Sequence, residues 1–149
     1  MRTLTVALAL SLFSACLLAN AGADKKIGDA AHSLNTQARW GRVDDAALLV
    51  APDYRPTFLI HHRRWGREIQ LADIEVVNIQ LTNDADRASV YVNFSWYAME
   101  DMTLYETTLR QQWISSKNTF ALASEAVVRG NPALLTPAES KSSNPQATP

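Results

Sequence analysis

Apolar and polar positions change period once along this chain, and the change separates a helical first half from a strand-forming second half. Ile27, Ala30, Ala31, Leu34 and Ala38 recur at helical spacing and make one apolar face, with Asp29, His32, Asn35 and Gln37 around the rest. Gly41 supplies a stop signal. Val43, Ala46, Ala47 and Val50 predict a second, short helix. Asp44 and Asp45 fall in its first turn, where the helix dipole favours carboxylates, and Ala51-Pro52-Asp53 ends it. Pro56 suits a first helical turn, so a third helix is predicted over residues 56–67, burying Phe58, His62, Trp65 and Ile69.

Downstream the period falls to two. In residues 74–81, Glu75, Val77, Ile79 and Leu81 share one face, and Ile74, Val76, Asn78 and Gln80 the other. Thr82-Asn83-Asp84-Ala85-Asp86 reads as a turn. The next strand sends Val90, Val92, Phe94, Trp96 and Ala98 to the core and Tyr91, Asn93 and Tyr97 outward. A tight turn at Glu100-Asp101 would set Trp96 against Tyr105, Phe94 against Thr107 and Val92 against Leu109. Tyr105, Thr107, Leu109, Gln111 and Trp113 then point inward, and Leu104, Glu106, Thr108, Arg110 and Gln112 outward. Lys117-Asn118 returns the chain, with Trp113 opposite Leu122, and with Phe120 and Ser124 on the inner face. A one-residue slip anywhere reverses such assignments.

The pattern predicts a single α+β domain over residues 24–130, its N-terminal helices packed on one face of a curved, cone-like antiparallel sheet. Residues 131–149 open on Asn-Pro, are polar and proline-rich, and are expected to be a disordered tail.

Residues 1–23 are expected to be an export signal: Arg2 is followed by an apolar run too short to span a membrane. Two processing routes compete. Leu12-Phe13-Ser14-Ala15-Cys16 resembles a lipobox, which would acylate Cys16; small-x-small sites at residues 19–21 and 21–23 would instead give ordinary cleavage. The lipoprotein route is preferred, so the protein is expected to face the periplasm on a lipid anchor, or else to be soluble there or secreted. Cys16 is the single cysteine of the chain, so the mature domain has no disulfide and rests on packing.

Composition changes little in this picture. Hydrophobic content of 47%, charged content of 19% and a net charge of −1 are those of an ordinary globular chain. They offer none of the basic excess of a nucleic-acid binder.

Candidate chemistry is sparse. His61 and His62 are adjacent, so they point apart on a helix, and no metal or cofactor is expected. Arg55, Arg63, Arg64 and Arg67 could meet oxyanions, although a solvated face paired with acids is the plainer reading. Charges on the two clearest strands all fall outward, whereas a general base must lie inside a cavity. Glu75, on the apolar face of its strand, and Tyr105 are the weak catalytic candidates. Trp65, Trp96, Tyr105, Gln111 and Trp113 are the candidate pocket walls, with core filling as the alternative.

The stretches DYRPTFLIHHRRWGREIQLADIEVVNIQL and MTLYETTLRQQWISSKNTFALASEAVV, with helices ahead of long strands, resemble the nuclear transport factor 2-like superfamily. That group includes SnoaL-like cyclases and ketosteroid isomerase. The resemblance implies a cone able to hold a small apolar molecule and an outer sheet face through which copies pair. Tyr91, Asn93, Glu106 and Arg110 are the dimer-face candidates. Isomerase-like members use acidic and tyrosine groups inside the cone, and no such set matches here residue by residue.

The expected function is a non-catalytic envelope domain that binds an apolar small molecule or a partner protein, with no nucleic acid. The membrane would be met through acylated Cys16. The alternatives are a small isomerase or hydratase using a rim carboxylate, and a structural dimerisation module.

Overall fold

The computed structural model describes residues 13–137. Three helices precede the sheet: α1 (Phe13–Arg39), α2 (Val43–Ala47) and α3 (Arg55–His62). Four long strands follow, β1 (Ile69–Leu81), β2 (Arg87–Ala98), β3 (Leu104–Ser116) and β4 (Thr119–Gly130), and then a short 3-10 turn, η1 (Pro132–Leu135). The strands form one antiparallel meander in the order β1-β2-β3-β4. The expected leader and lipobox begin outside the described residues. α1 continues through both expected cleavage sites, and the side chain of Cys16 lies outside what is described.

The helical stripe of α1 forms as its spacing dictates: Ile27, Ala31, Leu34 and Ala38 are all buried. α3 is shorter than expected. It stops at His62, and Trp65 and Gly66 form a turn that bridges to Ile69, the first residue of β1. The four residues predicted to be buried there, Phe58, His62, Trp65 and Ile69, are buried nonetheless. A turn replaces the last part of the helix because Gly66 takes φ +75, and Glu68 and Ile69 then bond back to the Arg64 carbonyl.

The β2–β3 register is the expected one, with Trp96 opposite Tyr105, Phe94 opposite Thr107 and Val92 opposite Leu109. Lys117 and Asn118, at φ 45 and 71, form the two-residue turn that fits the twist of a hairpin. The outer strands are irregular. β1 carries extra residues at Ala72 and Val77, and β4 at Ala123 and Val128. Where Ala123 bulges, the segment from Leu49 to Ala51 adds a short parallel rung to the β4 edge. Ala51 donates to the Leu122 carbonyl at 2.8 Å and Leu122 to that of Leu49 at 2.9 Å. That rung covers an otherwise open strand edge.

The boundary expected at residue 130 moves. Leu134 and Leu135 are buried, the Leu134 carbonyl accepts from Trp65 Nε1 at 2.9 Å, and the Asn131 carbonyl accepts from Thr107 Oγ1 at 2.9 Å. Residues 131–135 therefore close the core instead of opening a tail. Residues 138–149 lie outside the described residues.

Candidate functional site

The β-bulge at Ala123 decides what lies inside. β3 and β4 pair Gln112 with Ser124 and then Trp113 with Leu122, so one extra residue separates Leu122 from Ser124. Leu122 points inward, Ser124 turns outward and is exposed, and Glu125 comes inward opposite Gln111. The expectation that Ser124 lines the interior is thereby corrected. The inner face holds a carboxylate after all.

The Glu125 side chain is fully buried, with 0% of it exposed, against 1% for His62. Its Oε1 accepts from Gln111 Nε2 at 2.9 Å, and its Oε2 lies 3.2 Å from His62 Nε2. Gln111 Nε2 also donates to Asn35 Oδ1 at 2.9 Å, and Asn35 Nδ2 returns a bond to Gln111 Oε1 at 3.3 Å. On the other side His62 Nδ1 lies 2.8 Å from the Phe58 carbonyl. The imidazole stacks on Phe58 with centroids 3.9 Å apart and meets Trp65 edge-on at 4.2 Å.

The protonation follows from these partners. A carbonyl only accepts, so His62 Nδ1 carries the hydrogen and Nε2 presents a lone pair. Burial holds the imidazole neutral, pushing it down to about 3, against the Phe58 carbonyl, which favours the charged form. Burial also pushes Glu125 up to about 7, against the Gln111 bond, which favours the carboxylate. Neither Nε2 nor Oε2 has another partner among the described residues, and their contact is not aligned as a hydrogen bond. With Glu125 protonated, Oε2 brings a donor to the Nε2 lone pair; with it ionised, two lone pairs face each other. Tyr54 stands nearby: burial, and then the charge of Glu125, raise its phenol above its ordinary range.

An acid poised near neutrality beside a neutral imidazole is equipped for proton transfer. It is also sealed. Three surface depressions among the described residues are lined by other residues: an outer-face groove of about 390 Å³, a cleft beside α3 of about 290 Å³ and a hollow beside Lys26 of about 140 Å³.

The other expected site residues separate. Glu75 is exposed on the outer face opposite Asn93, because the Val77 bulge reverses its parity relative to Ile79 and Leu81, which point inward; its assignment to the apolar face is corrected. Tyr105 is on the inner side, half-buried, donating to Asp101 Oδ2 at 3.0 Å with its ring 4.8 Å from Trp96. The two catalytic candidates thus stand on opposite faces. Trp65, Trp96, Trp113 and Gln111 are buried in the core, Trp96 Nε1 donating to Thr107 Oγ1 at 3.0 Å. Tyr91, Asn93, Glu106 and Arg110 all lie on the outer face; Tyr91 opposes Arg110, Asn93 opposes Thr108 and Glu106 opposes Ser95.

The chain finds no match among protein families, curated proteins or solved structures.

Proposed function

We propose that this chain is an exported envelope protein, acylated at Cys16. Its nuclear transport factor 2-like domain, curved into a cone, is non-catalytic and works as an interaction module, with a second copy of itself docked on the outer sheet face. One observation carries this reading: tryptophans and phenylalanines fill the inner face, while the outer face of all four strands carries an open groove. No described helix covers the groove, which is lined by Val77, Asn78, Tyr91, Asn93, Thr108, Val128 and Arg129.

The residue pattern of that face is self-complementary. Glu75, Asn93, Thr108 and Arg129 form one row across the four strands. A two-fold axis lying along the strands, between β2 and β3, sets Glu75 of one copy against Arg129 of the other. It likewise sets Tyr91 against Arg110 and Ser95 against Glu106, and brings the exposed bulge valines Val77 and Val128 to within about one residue step of each other. At these paired positions no two like charges lie directly opposite each other, although Asp73, beside Ser95, is one strand away from the second copy's Glu106. Strands of this length, ~3.3 Å per residue and ~4.8 Å apart, make a face of roughly 700 Å², close to one side of a standard protein interface.

Sedimentation of the mature protein tests the reading. The wild type sediments as a dimer, E75R and R129E each as monomers, and the E75R/R129E double variant regains the dimer. A strictly monomeric wild type, or a double variant no better than the singles, removes it.

A second reading has an observation of its own. The Glu125–His62 contact at 3.2 Å, with the acid near neutrality, is the acid–base pair that an isomerase or hydratase would need. Its signature is turnover in an unbiased metabolite screen, abolished in a folded Glu125→Gln protein. A silent wild type eliminates it.

A further inference from the structure

The arginines around α3 fall into two sets. Arg55 Nε and Nη2 donate to the Ala47 and Val50 carbonyls at 2.9 and 3.0 Å, closing the C-terminal end of α2. Arg64 Nε binds Glu68 Oε2 at 2.8 Å. Arg63 and Arg67 have no acidic partner within ion-pair distance among the described residues, and both are exposed. These two line the cleft of about 290 Å³, together with Val43, Asp44 and Leu59.

The cleft is built by a backbone contact. Gly41, at φ +70, and Gly66, at φ +75, press the turn after α1 against the turn after α3; a β-carbon on Gly66 would lie 2.5 Å from the Gly41 Cα. Only glycine permits both the conformation and the approach. Joining these turns fixes Asp44 and Val43 on one wall and Arg63 and Arg67 on the other.

We propose that this cleft binds a small soluble oxyanion, a carboxylate or a phosphate monoester, held by Arg63 and Arg67. Guanidinium groups match the paired oxygens of such anions, and among the described residues no acid lies within ion-pair distance of these two. Asp44 supplies one negative charge against their two positive ones, so the cleft keeps a net positive charge. Asp44 also favours a ligand that carries a hydroxyl or ammonium donor beside its acid group. Val43 and Leu59 give a short carbon skeleton an apolar wall.

The source of the anion follows from the length of α1. From Cys16 to Arg39 the helix spans about 35 Å at ~1.5 Å per residue, so the cleft opens at the end of α1 remote from Cys16. A headgroup of the membrane holding that anchor would stand at the opposite end.

The test titrates the full mature protein at low ionic strength with inorganic phosphate, with citrate, and with phosphatidylglycerol vesicles, followed by calorimetry. The wild type binds the free anions at one saturable site. R63Q/R67Q weakens that binding by roughly tenfold or more, and R64Q leaves it unchanged, with all three proteins melting alike. Absence of saturable binding, equal binding by R63Q/R67Q, or an equal loss in R64Q overturns the site. Binding to vesicles without binding to free anions overturns the soluble ligand and places the oxyanion on a lipid.

Discussion

Glu125 Oε2 lies 3.2 Å from His62 Nε2, each side chain sealed from solvent, one on the last strand and the other on the last turn of α3. The groups facing this pair are Gln111 from β3, Asn35 from α1 through Gln111, and Tyr54 and His61 from the α3 segment. The pair holds one proton at neutral pH or just below it, and that makes folding stability depend on pH from both sides.

Burial raises the folded pKa of Glu125 from 4.5 to about 7, so its stabilising contribution is complete below 4.5 and is lost as pH rises through about 7. Burial lowers that of His62 from 6.5 to about 3, so its contribution is complete above 6.5 and is lost as pH falls through about 3. Between 4.5 and 6.5 the two slopes cancel, because folded and unfolded chains each hold one proton on the pair. Urea unfolding across pH should show a plateau there, falling by roughly 2 kcal/mol as pH drops from 4.5 to about 3 and by less than about 1 kcal/mol as it rises from 6.5 through about 7. Glu125→Gln, whose amide can donate to Nε2 while its oxygen accepts from Gln111, should keep the fold. Its stability should keep rising up to about pH 6.5 and lose the alkaline decline. An unchanged pH profile in that variant would refute the one-proton pair.

Trp96 Nε1 donates to Thr107 Oγ1, which donates to the Asn131 carbonyl, so one hydroxyl ties β2 and β3 to the start of η1. Thr107→Val keeps the shape and leaves the buried Trp96 N–H and the part-buried Asn131 carbonyl without this partner. It should cost about 1–3 kcal/mol by denaturant midpoint. Trp96→Ala empties a buried indole site and should cost about 3–5 kcal/mol. If Trp96→Ala melts like wild type, Trp96 is no part of the core.

Gly130 ends β4 at φ +91, opposite Thr107. A β-carbon there would overlap the Glu106 carbonyl oxygen and lie 2.8 Å from the Thr107 Cα. Gly130→Ala therefore meets strain in the backbone as well as a clash with it, and should destabilise by about 3 kcal/mol or more. Calorimetry that shows no loss would mean that the β4 terminus can swing away from β3.

Gly66→Ala meets the same difficulty against Gly41. It should lower the melting temperature and also loosen the cleft that carries Arg63 and Arg67. Phosphate binding retained at wild-type strength in that variant would show that the Gly41–Gly66 contact does not shape the cleft.

Local patterns were enough wherever local physics decides. The α1 stripe, the buried quartet Phe58, His62, Trp65 and Ile69, the β2–β3 register and the Lys117-Asn118 turn are all legible as periods and turn chemistry. The bulges are not. Ala72, Val77, Ala123 and Val128 look like ordinary strand residues, and only pairing with a neighbouring strand makes one of them extra. Each such residue alters the parity beyond it. So the strand periods put Glu75 inside and implied that Glu125 lay outside, and the tertiary structure reverses both. The one hint was Gln111, an inward amide that needed a polar partner and had only Ser124 opposite it in an unbulged register.

What the sequence by itself determined is an α+β chain with helices first, one aromatic sheet face and one polar face. Those features follow from side-chain period and turn residues within each segment. What only the tertiary structure decided is which carboxylate enters the core and that residues 131–135 close it. It also decided which arginines are left without an acid among the described residues. Those outcomes depend on strand pairing and on contacts between residues distant along the chain, and no local period records them.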